Sequence, residues 1–180
     1  MHKELFKEIE IPDGVEADIK GNVIIIKGKE GEVKKKFDTS KLIFEKVGDK
    51  IRIGNKKFTK REKKMMNTIT QHIRNMIRGV QEKFEYHLKI CFNHFPITVE
   101  IKGDGVLIKN FLGEKIPRKM KILEGTEVKI DKDRIIVSSA DKELAGQTAA
   151  NFEKATAISK RDRRVFHDGI FITNKSGKEI

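Results

Sequence analysis

The chain has 180 residues and carries 39 Lys and Arg against 27 Asp and Glu, a formal net charge of +12. An excess this large does not help the chain to fold and it attracts anions, so we expect a polyphosphate partner. The single cysteine, Cys91, excludes an intramolecular disulfide framework. No apolar run approaches the ~20 residues that span a bilayer, so we expect a cytosolic protein without membrane contact.

The sequence repeats itself with a nearly constant offset. Residues 19–27 (IKGNVIIIK) match residues 101–109 (IKGDGVLIK) at an offset of 82 residues. Three later apolar residues repeat at the same offset: Phe84, Leu88 and Ile90 match Phe166, Ile170 and Ile172. Residues 49–53 match residues 133–137 at an offset of 84, and an insertion in a loop would produce this slip. We therefore expect two copies of one small domain.

The first copy begins with patterns typical of strands. Apolar and polar residues alternate over residues 15–19, and a β-branched run follows at residues 23–26. The turn signal in residues 20–22 (KGN) between them predicts a hairpin. Further short strands are expected at residues 33–37 and 51–53.

A helix is expected after these strands. Thr59 and Glu62 have the spacing of a capping box, in which each residue bonds the backbone of the other. The apolar residues after them recur at three- and four-residue spacing, which predicts a buried helical face: Met65, Ile69, Ile73, Met76, Ile77 and Val80.

The second copy repeats this order. The period changes to two over residues 84–92, which predicts a strand that leads from the first domain into the second. Strands are then expected at residues 97–101, 106–108, 128–130 and 135–137, followed by a helix over about residues 141–158 and a last strand through Ile172. Strands grouped around single helices predict an α+β fold, two tandem copies of a small antiparallel sheet packed with one helix. We expect the domains at residues 1–83 and 84–180.

Few residues suggest catalysis or a cofactor. Residues 103–105 (GDG) lack the third glycine of a dinucleotide motif, and no phosphate-binding loop motif occurs. Cys91 and His94 have the spacing of half a zinc site, but no second close pair supplies four ligands, so we expect no metal and no cofactor. His167 next to Arg163 and Arg164 could act as a general base on a phosphodiester, but a second acid or base is missing. We expect no enzyme activity.

Two clusters of cations remain. Residues 56–64 (KKFTKREKK) place six cations at the start of the predicted helix, where the helix dipole disfavours them unless an anion binds. A solvated helix start explains this cluster equally well. The second cluster comprises Lys160, Arg161, Arg163 and Arg164, with Phe166, His167 and Gly169 close behind.

The second cluster predicts RNA binding. Arginine forks bind phosphate through two hydrogen bonds, and a neighbouring ring can stack on a base or a ribose. We find no helix with an exposed basic face and base-reading amides at the right spacing, so we do not expect recognition in a major groove.

Five stretches resemble the universal large-subunit ribosomal protein L6 family in its archaeal and eukaryotic form. They are residues 71–80 (QHIRNMIRGV), 93–98 (NHFPIT), 109–115 (KNFLGEK), 145–151 (AGQTAAN) and 162–172 (DRRVFHDGIFI). The resemblance implies two related α+β domains in a cytoplasmic large ribosomal subunit. It also implies attachment to large-subunit rRNA near the sarcin–ricin loop, with ribosomal proteins as neighbours and translational GTPases docking nearby.

By this resemblance, rRNA contacts come mainly from the second domain and the C-terminal segment. The candidate contact residues are Lys109, Asn110, Phe111, Gly113, Lys115, Arg118, Lys160, Arg161, Arg163, Arg164, Phe166, His167 and Gly169. The alternatives are a free-standing RNA-binding protein involved in RNA processing or storage, and a phosphodiesterase that uses His167. Because residues 28–32 of the first copy are replaced by residues 110–114, we expect Phe111 and Leu112 to contact something outside their own domain or to pack the interdomain corner.

Overall fold

The computed structural model describes residues 5–37, 42–55 and 59–180. The chain divides into two compact units, residues 1–83 and residues 84–180. Both units combine antiparallel strands with one α-helix, which confirms the predicted α+β class. No helix in these described ranges is long and apolar enough to cross a lipid bilayer.

The first unit contains two three-stranded antiparallel sheets and one helix. Its elements are β1 (Leu5–Glu10), β2 (Glu16–Lys20), β3 (Val23–Gly28), β4 (Gly31–Lys36), β5 (Ile43–Val47), β6 (Lys50–Asn55) and α1 (Lys60–Gln81). One sheet has the order β1-β6-β5 and the other the order β2-β3-β4. Helix α1 contacts strands of both sheets. The predicted β2–β3 hairpin is confirmed.

Helix α1 starts as predicted and buries nearly the predicted face. The Thr59 amide donates to Glu62 Oε2 at 2.7 Å, and the Glu62 amide donates to Thr59 Oγ1 at 3.4 Å, so the capping box is present. Ile69, Ile73, Met76, Ile77 and Val80 are buried. The prediction is wrong at Met65, which is only half-buried, because the helical face that meets the sheets includes Met66, 0 % exposed.

A close approach between β3 and α1 requires glycine at position 28. A Cβ on Gly28 would lie 2.8 Å from the carbonyl oxygen of Val80 and equally close to the valine side chain. The same approach lets the Glu30 amide donate to the Val80 carbonyl at 2.9 Å. The end of the helix is thereby joined to the β3–β4 turn.

The second unit repeats this order and then extends it. Its elements are β7 (Phe84–Cys91), β8 (Thr98–Lys102), β9 (Gly105–Lys109), β10 (Arg118–Lys121), β11 (Glu127–Asp131), β12 (Arg134–Ser139), α2 (Lys142–Ala155), β13 (Gly169–Lys175) and β14 (Lys178–Glu179). A three-stranded sheet has the order β10-β9-β8, and a five-stranded sheet has the order β11-β12-β7-β13-β14. Phe152, Ile135 and Ile170, each 0 % exposed, belong to its core.

The two units correspond strand by strand, but the second match at offset 82 has another origin. Strand β7 pairs with β12 as β1 pairs with β6, so β1 is the counterpart of β7. Strand β13 lies beside β7 in the same sheet, with Ile170 opposite Ile90 and Ile172 opposite Leu88. The two segments look alike because adjacent strands bury the same face of one sheet. The interpretation of β13 as a repeat of β7 is therefore wrong.

Four strands escaped the sequence analysis. Strands β1, β5, β10 and β14 lie at the edges of their sheets and carry charged residues at exposed positions. In β10, the sequence RKMK buries only Met120. Edge strands need fewer apolar residues than central strands, so the alternation that marks a strand is weak in them.

Candidate nucleic-acid interface

The basic segment, residues 160–167, connects α2 to β13 through a tight turn at Asp162. The Asp162 carbonyl accepts from the amides of Val165 at 3.1 Å and Phe166 at 3.0 Å. Its carboxylate accepts from the Arg164 amide at 2.9 Å and from the Arg164 guanidinium at 2.8 Å. Hydrogen bonds from Arg164 hold the pKa of Asp162 below its usual value. One acidic residue therefore shapes the turn that displays the cations.

The cations of this segment are exposed but not equivalent. The side chain of Arg164 is 90 % exposed and is paired with Asp162, which raises the pKa of this arginine. The guanidinium of Arg161 lies 4.8 Å from the centre of the Phe166 ring. Lys160 and Arg163 are exposed, and neither forms an ion pair with any residue that the structure describes. Arg161 and Arg163 are therefore the guanidinium groups that an external phosphate can pair with directly.

An open cleft of about 540 Å³ lies between the last turn of α2, the basic segment and the start of β13. Arg163, Phe166 and His167 line it, as predicted contact residues. Lys154 and Phe171 also line it, and the sequence analysis missed both. Lys154 is recognisable as a basic residue in the last turn of a helix. Phe171 is an apolar residue on the outward face of a strand, where it is 46 % exposed.

The loop before β10 is held by unusual backbone geometry. Asn110 and Leu112 have positive φ angles of 59° and 50°, and Asn110 Nδ2 donates to the Pro96 carbonyl at 3.1 Å. Between them, Phe111 is 1 % exposed and lies in the core of the second unit, with Leu112 packed against that core. The first alternative, a contact outside their own domain, is contradicted for Phe111. The second alternative, packing of an interdomain corner, stays a prediction. Phe111 stabilises the loop and has no ring face available for a base.

Arg118 also has a structural role. Its Nε and Nη2 atoms donate to the two carboxylate oxygens of Glu114 at 2.8 and 2.6 Å, and Nη1 donates to the carbonyls of Ala155 at 2.8 Å and Ala157 at 3.2 Å. Its guanidinium lies 4.2 Å from the Phe111 ring centre. Four of the five N–H donors of Arg118 are thus used inside the unit, so its contact with rRNA stays a prediction that one N–H could serve.

Arg118 brings the loop close to the basic segment. It joins Glu114 to the carbonyls that end α2, a few residues before Arg161. The hydrogen bond from Arg118 is the main cause that lowers the pKa of Glu114; burial opposes it, and the charges of Arg118 and Arg161 add to it. The exposed Lys115 follows Glu114 directly. Lys115 therefore follows directly the residue through which the loop is joined to the end of α2.

The other predicted residues have internal partners or are buried. Lys109 Nζ donates to Glu100 Oε1 at 2.7 Å and thereby lowers the pKa of Glu100. Gly169 is buried, and a Cβ there would lie 3.0 Å from the Phe171 ring. Gly113 has a φ of 77° and lies against the Phe95 ring. The two glycines let aromatic rings approach the backbone, which is a packing requirement.

The geometry offers little for a phosphodiesterase. His167 is exposed and forms no hydrogen bond within the ranges that the structure describes. A catalytic base is normally oriented by a second group, and a metal-assisted mechanism needs a cluster of ligands. No group of three or more His, Cys, Asp and Glu residues that could hold a metal ion occurs among the described residues.

Comparison with known proteins agrees with this geometry. The model of the family described as ribosomal protein L6 matches residues 11–83 and 95–169. A protein of Methanococcus vannielii named large ribosomal subunit protein uL6 is 42 % identical over 174 residues, 97 % of this chain and 96 % of the relative. Proteins of the same name from Methanobrevibacter smithii and Ignicoccus hospitalis are 43 % and 42 % identical, over 94 % and 91 % of this chain and 95 % and 91 % of the relatives. The chain belongs to the ribosomal protein L6 family.

Proposed function

We propose that this protein is a noncatalytic structural constituent of the large ribosomal subunit in the cytoplasm and binds large-subunit rRNA through its second unit. The relatives named as large-subunit proteins, matched over nearly their whole length, support the ribosomal role. The observation that carries the rRNA contact is the pair of exposed guanidinium groups, Arg161 and Arg163, in a segment where Arg118 and Lys109 have internal partners.

The proposed contact surface comprises the basic segment, Lys115 and the adjoining cleft. Phosphate groups pair with Arg161, Arg163, Lys115 and Lys160. The cleft lined by Phe166, His167 and Lys154 has a mixed apolar and polar lining that suits a ribose or an unstacked base. Glu153 and Asp168 also line it, so we expect phosphates to pair outside the cleft. Two exposed apolar residues, Ile116 next to Lys115 in the chain at 81 % and Val165 within the basic segment at 65 %, suit a contact with rRNA or a neighbouring ribosomal protein. Of the thirteen candidate contact residues, the proposal keeps six as direct contacts: Lys115, Lys160, Arg161, Arg163, Phe166 and His167.

The finer placement follows from the family resemblance. The rRNA segment would lie near the sarcin–ricin loop, beside the docking site of translational GTPases. A large-subunit rRNA fragment that contains this loop is therefore the probe for the binding experiment. Sedimentation of cell extract tests the ribosomal role: the protein should migrate with the large subunit, and migration with free RNA or protein alone would favour an RNA-processing factor.

The binding experiment replaces Arg161, Arg163 and Arg164 with alanine in the full chain. Each cation that neutralises a phosphate releases counterions, so the dependence of log affinity on log salt concentration loses up to about one unit of slope per contact. We expect the slope to flatten by about 2 units, and by up to 3 if Arg164 exchanges Asp162 for phosphate. Wild-type affinity and slope in the triple variant would contradict the proposed contact surface.

Phe166→Ala is the matched control. An aromatic ring that stacks or packs contributes little counterion release, so this variant should weaken binding while the salt slope changes by much less than one unit. Loss of the ring also frees Arg161 from its contact at 4.8 Å, which leaves its charge in place. A change in slope as large as that of the triple variant would mean that Phe166 acts by organising the cations.

A further inference from the structure

The outward face of α1 forms a continuous polar stripe along the helix. Six residues occur at alternating intervals of four and three, which places them on one side of the helix. They are Lys60, Lys64, Asn67, Gln71, Arg74 and Arg78. All six side chains are exposed, and the stripe contains no apolar residue. We name these six residues the α1 stripe.

The charge on α1 has one sign. The helix contains six cations, and its only acidic residue, Glu62, is 8 % exposed and bonded to the backbone of Thr59. Lys60, Lys64 and Arg74 form no ion pair with any residue that the structure describes. Solvated surface helices usually mix both signs in pairs four residues apart. Within the helix, the α1 stripe therefore lacks the acidic partners of an ordinary solvated face. Acidic residues of β1 adjoin only its carboxyl-terminal half, where Glu8 and Glu10 line the same surface depression as Arg74 and Arg78.

This arrangement opposes the stability of the helix. Lys60 and Lys64 lie at the amino-terminal end, where the helix dipole is positive. Lys60 with Lys64, and Arg74 with Arg78, are like charges four residues apart, a spacing that also destabilises a helix. Residues 1–83 carry 21 basic against 13 acidic residues, a larger excess than the 18 against 14 of residues 84–180. Some of these cations pair with carboxylates of the first unit, such as Lys27 and Lys34 with Glu32, but the net excess is larger than the acidic residues can neutralise.

The α1 stripe differs in part from what the sequence analysis expected. We expected no helix with an exposed basic face and base-reading amides at the right spacing, and α1 does have an exposed basic face with Asn67 and Gln71 between its cations. Recognition in a major groove is still not expected. Asn67 Oδ1 accepts from Lys7 Nζ at 2.7 Å, and Gln71 donates to Asn75 Oδ1 at 3.2 Å. Part of the first cationic cluster, residues 56–58, lies outside the described residues.

We infer that the α1 stripe is a second RNA-binding surface, which takes the backbone of an RNA duplex. Lys64 and Arg74 are ten residues apart, about 15 Å along the helix axis. The cationic ends of the stripe can thus reach phosphates of both strands that border one groove. The amides between them can bond sugar hydroxyls, which the shallow groove of duplex RNA exposes. The stripe has no apolar residue to insert into a lipid surface.

This inference rests on the proposed rRNA-binding function but concerns a different surface in a different unit. Since the contacts are to the backbone, they require duplex geometry and no particular sequence. An RNA duplex of arbitrary sequence, about 16 base pairs long as double-stranded RNA-binding domains require, is therefore the probe. The variant is Lys64→Ala with Arg74→Ala and Arg78→Ala in the full chain.

We expect this variant to bind the duplex more weakly, with a salt slope flatter by about 2 to 3 units. The matched control removes the same charge from β2, β3 and β4 by Lys20→Ala, Lys27→Ala and Lys34→Ala. These lysines lie 3.6, 3.8 and 2.9 Å from carboxylates of their own sheet. The control should change the slope by less than about one unit. Equal slopes in both variants would mean that only net charge matters, and would overturn the inference.

Repeating the series on a chain that carries alanine at Arg161, Arg163 and Arg164 separates the two surfaces. Two independent surfaces predict that the α1 variant flattens the slope by the same amount in both backgrounds. An unchanged slope in both backgrounds overturns the inference, whether or not the C-terminal variant alters rRNA binding. If only the C-terminal variant has no effect, the inference stands and the proposed contact surface fails. Circular dichroism of each variant checks that α1 remains folded.

Discussion

The first unit displays its cations along a regular helix, whereas the second displays them on an irregular segment between α2 and β13. The units share the strand order from β1 to β6 and from β7 to β12, each followed by a helix. The differences lie at the ends of these elements. Helix α1 has 22 residues and α2 has 14, and only the second unit continues into β13 and β14. The shared core sets the topology, and the two proposed binding surfaces lie on the longer helix of the first unit and on the segment before β13 in the second.

One pair of equivalent turns illustrates this difference. In the first unit, Gly28 and Gly31 close a tight hairpin against Val80, and no side chain could replace Gly28. In the second unit, a longer loop follows Asn110, buries Phe111 and delays the next strand until Arg118. The insertion brings Glu114 to Arg118, and so fastens the loop to the end of α2. A turn in one unit has become a support for the basic segment in the other.

The largest expected effects are on the two cores. Phe152→Ala should destabilise the second unit by about 3 to 5 kcal/mol, and Ile73→Ala should destabilise the first by about 2 to 5 kcal/mol, through lost burial and the cavity left behind. Both side chains are 0 % exposed. The only tyrosine, Tyr86, is buried in β7, so its fluorescence reports on the second unit. Helical circular dichroism is dominated by the longer helix, α1.

We propose that residues 1–83 and 84–180 are separate folding domains, and these variants test it. Denaturant unfolding should shift the fluorescence transition in Phe152→Ala and mainly the dichroism transition in Ile73→Ala. If each variant shifts both transitions equally, the two units unfold as one cooperative structure and the domain proposal fails.

A smaller effect is expected where the loop meets α2. Arg118→Ala should destabilise the second unit by about 1.5 to 3 kcal/mol, because it removes hydrogen bonds to a carboxylate and leaves two carbonyls without this donor. Arg118→Lys should restore only part of the loss, since an ammonium group cannot reproduce the planar fork. Arg164→Ala removes an arginine that is also paired with a carboxylate but has a side chain 90 % exposed, so it should leave stability nearly unchanged. Fluorescence-detected unfolding compares the three, and equal effects of Arg118→Ala and Arg164→Ala would refute the structural role.

The same contact predicts a dependence on pH. The pKa of Glu114 is lowered from 4.5 in the folded state, mainly by its hydrogen bond from Arg118. Its contribution to stability is therefore complete above pH 4.5 and is lost as the pH falls through the lowered pKa. Acid titration of the fluorescence should show a smaller loss of stability over this range in Glu114→Gln than in the wild type. Identical acid profiles would mean that the ion pair does not affect folding.

Modest effects are expected at the helix caps. Thr59→Ala and Asp141→Ala should each cost about 0.5 to 2 kcal/mol, since each removes a side chain that accepts from a helix amide. Thr59→Ser and Asp141→Asn keep the acceptor and serve as controls. In Thr59→Ala the Glu62 amide loses its acceptor, but the Glu62 carboxylate still accepts from the backbone amide of residue 59. We therefore expect α1 to form. Loss of most of the helical dichroism in Thr59→Ala would show that α1 depends on this N-cap in order to form.

Local patterns predicted much of the fold because they depend on neighbours in the chain. Spacing alone predicted the capping box at Thr59, the buried face around Ile73 and the hairpin that turns at residues 20–22. Edge strands such as β10 were missed because one buried side, Met120, leaves no alternation to detect. The apparent repeat of β7 at β13 misled because two neighbouring strands in one sheet meet the same core.

The sequence by itself determined the family, the α+β class, the cationic excess and the segments that carry it, because these depend on residue type and spacing. The tertiary structure decided which cations can meet a phosphate. Positions 118 and 163 are both arginines in basic segments. Arg118 donates to Glu114 and to the end of α2, whereas Arg163 is exposed. Phe111 and Phe166 differ in the same way, since one is in the core and the other lines the cleft. Burial and pairing depend on residues far apart in the chain, which only the folded structure brings together.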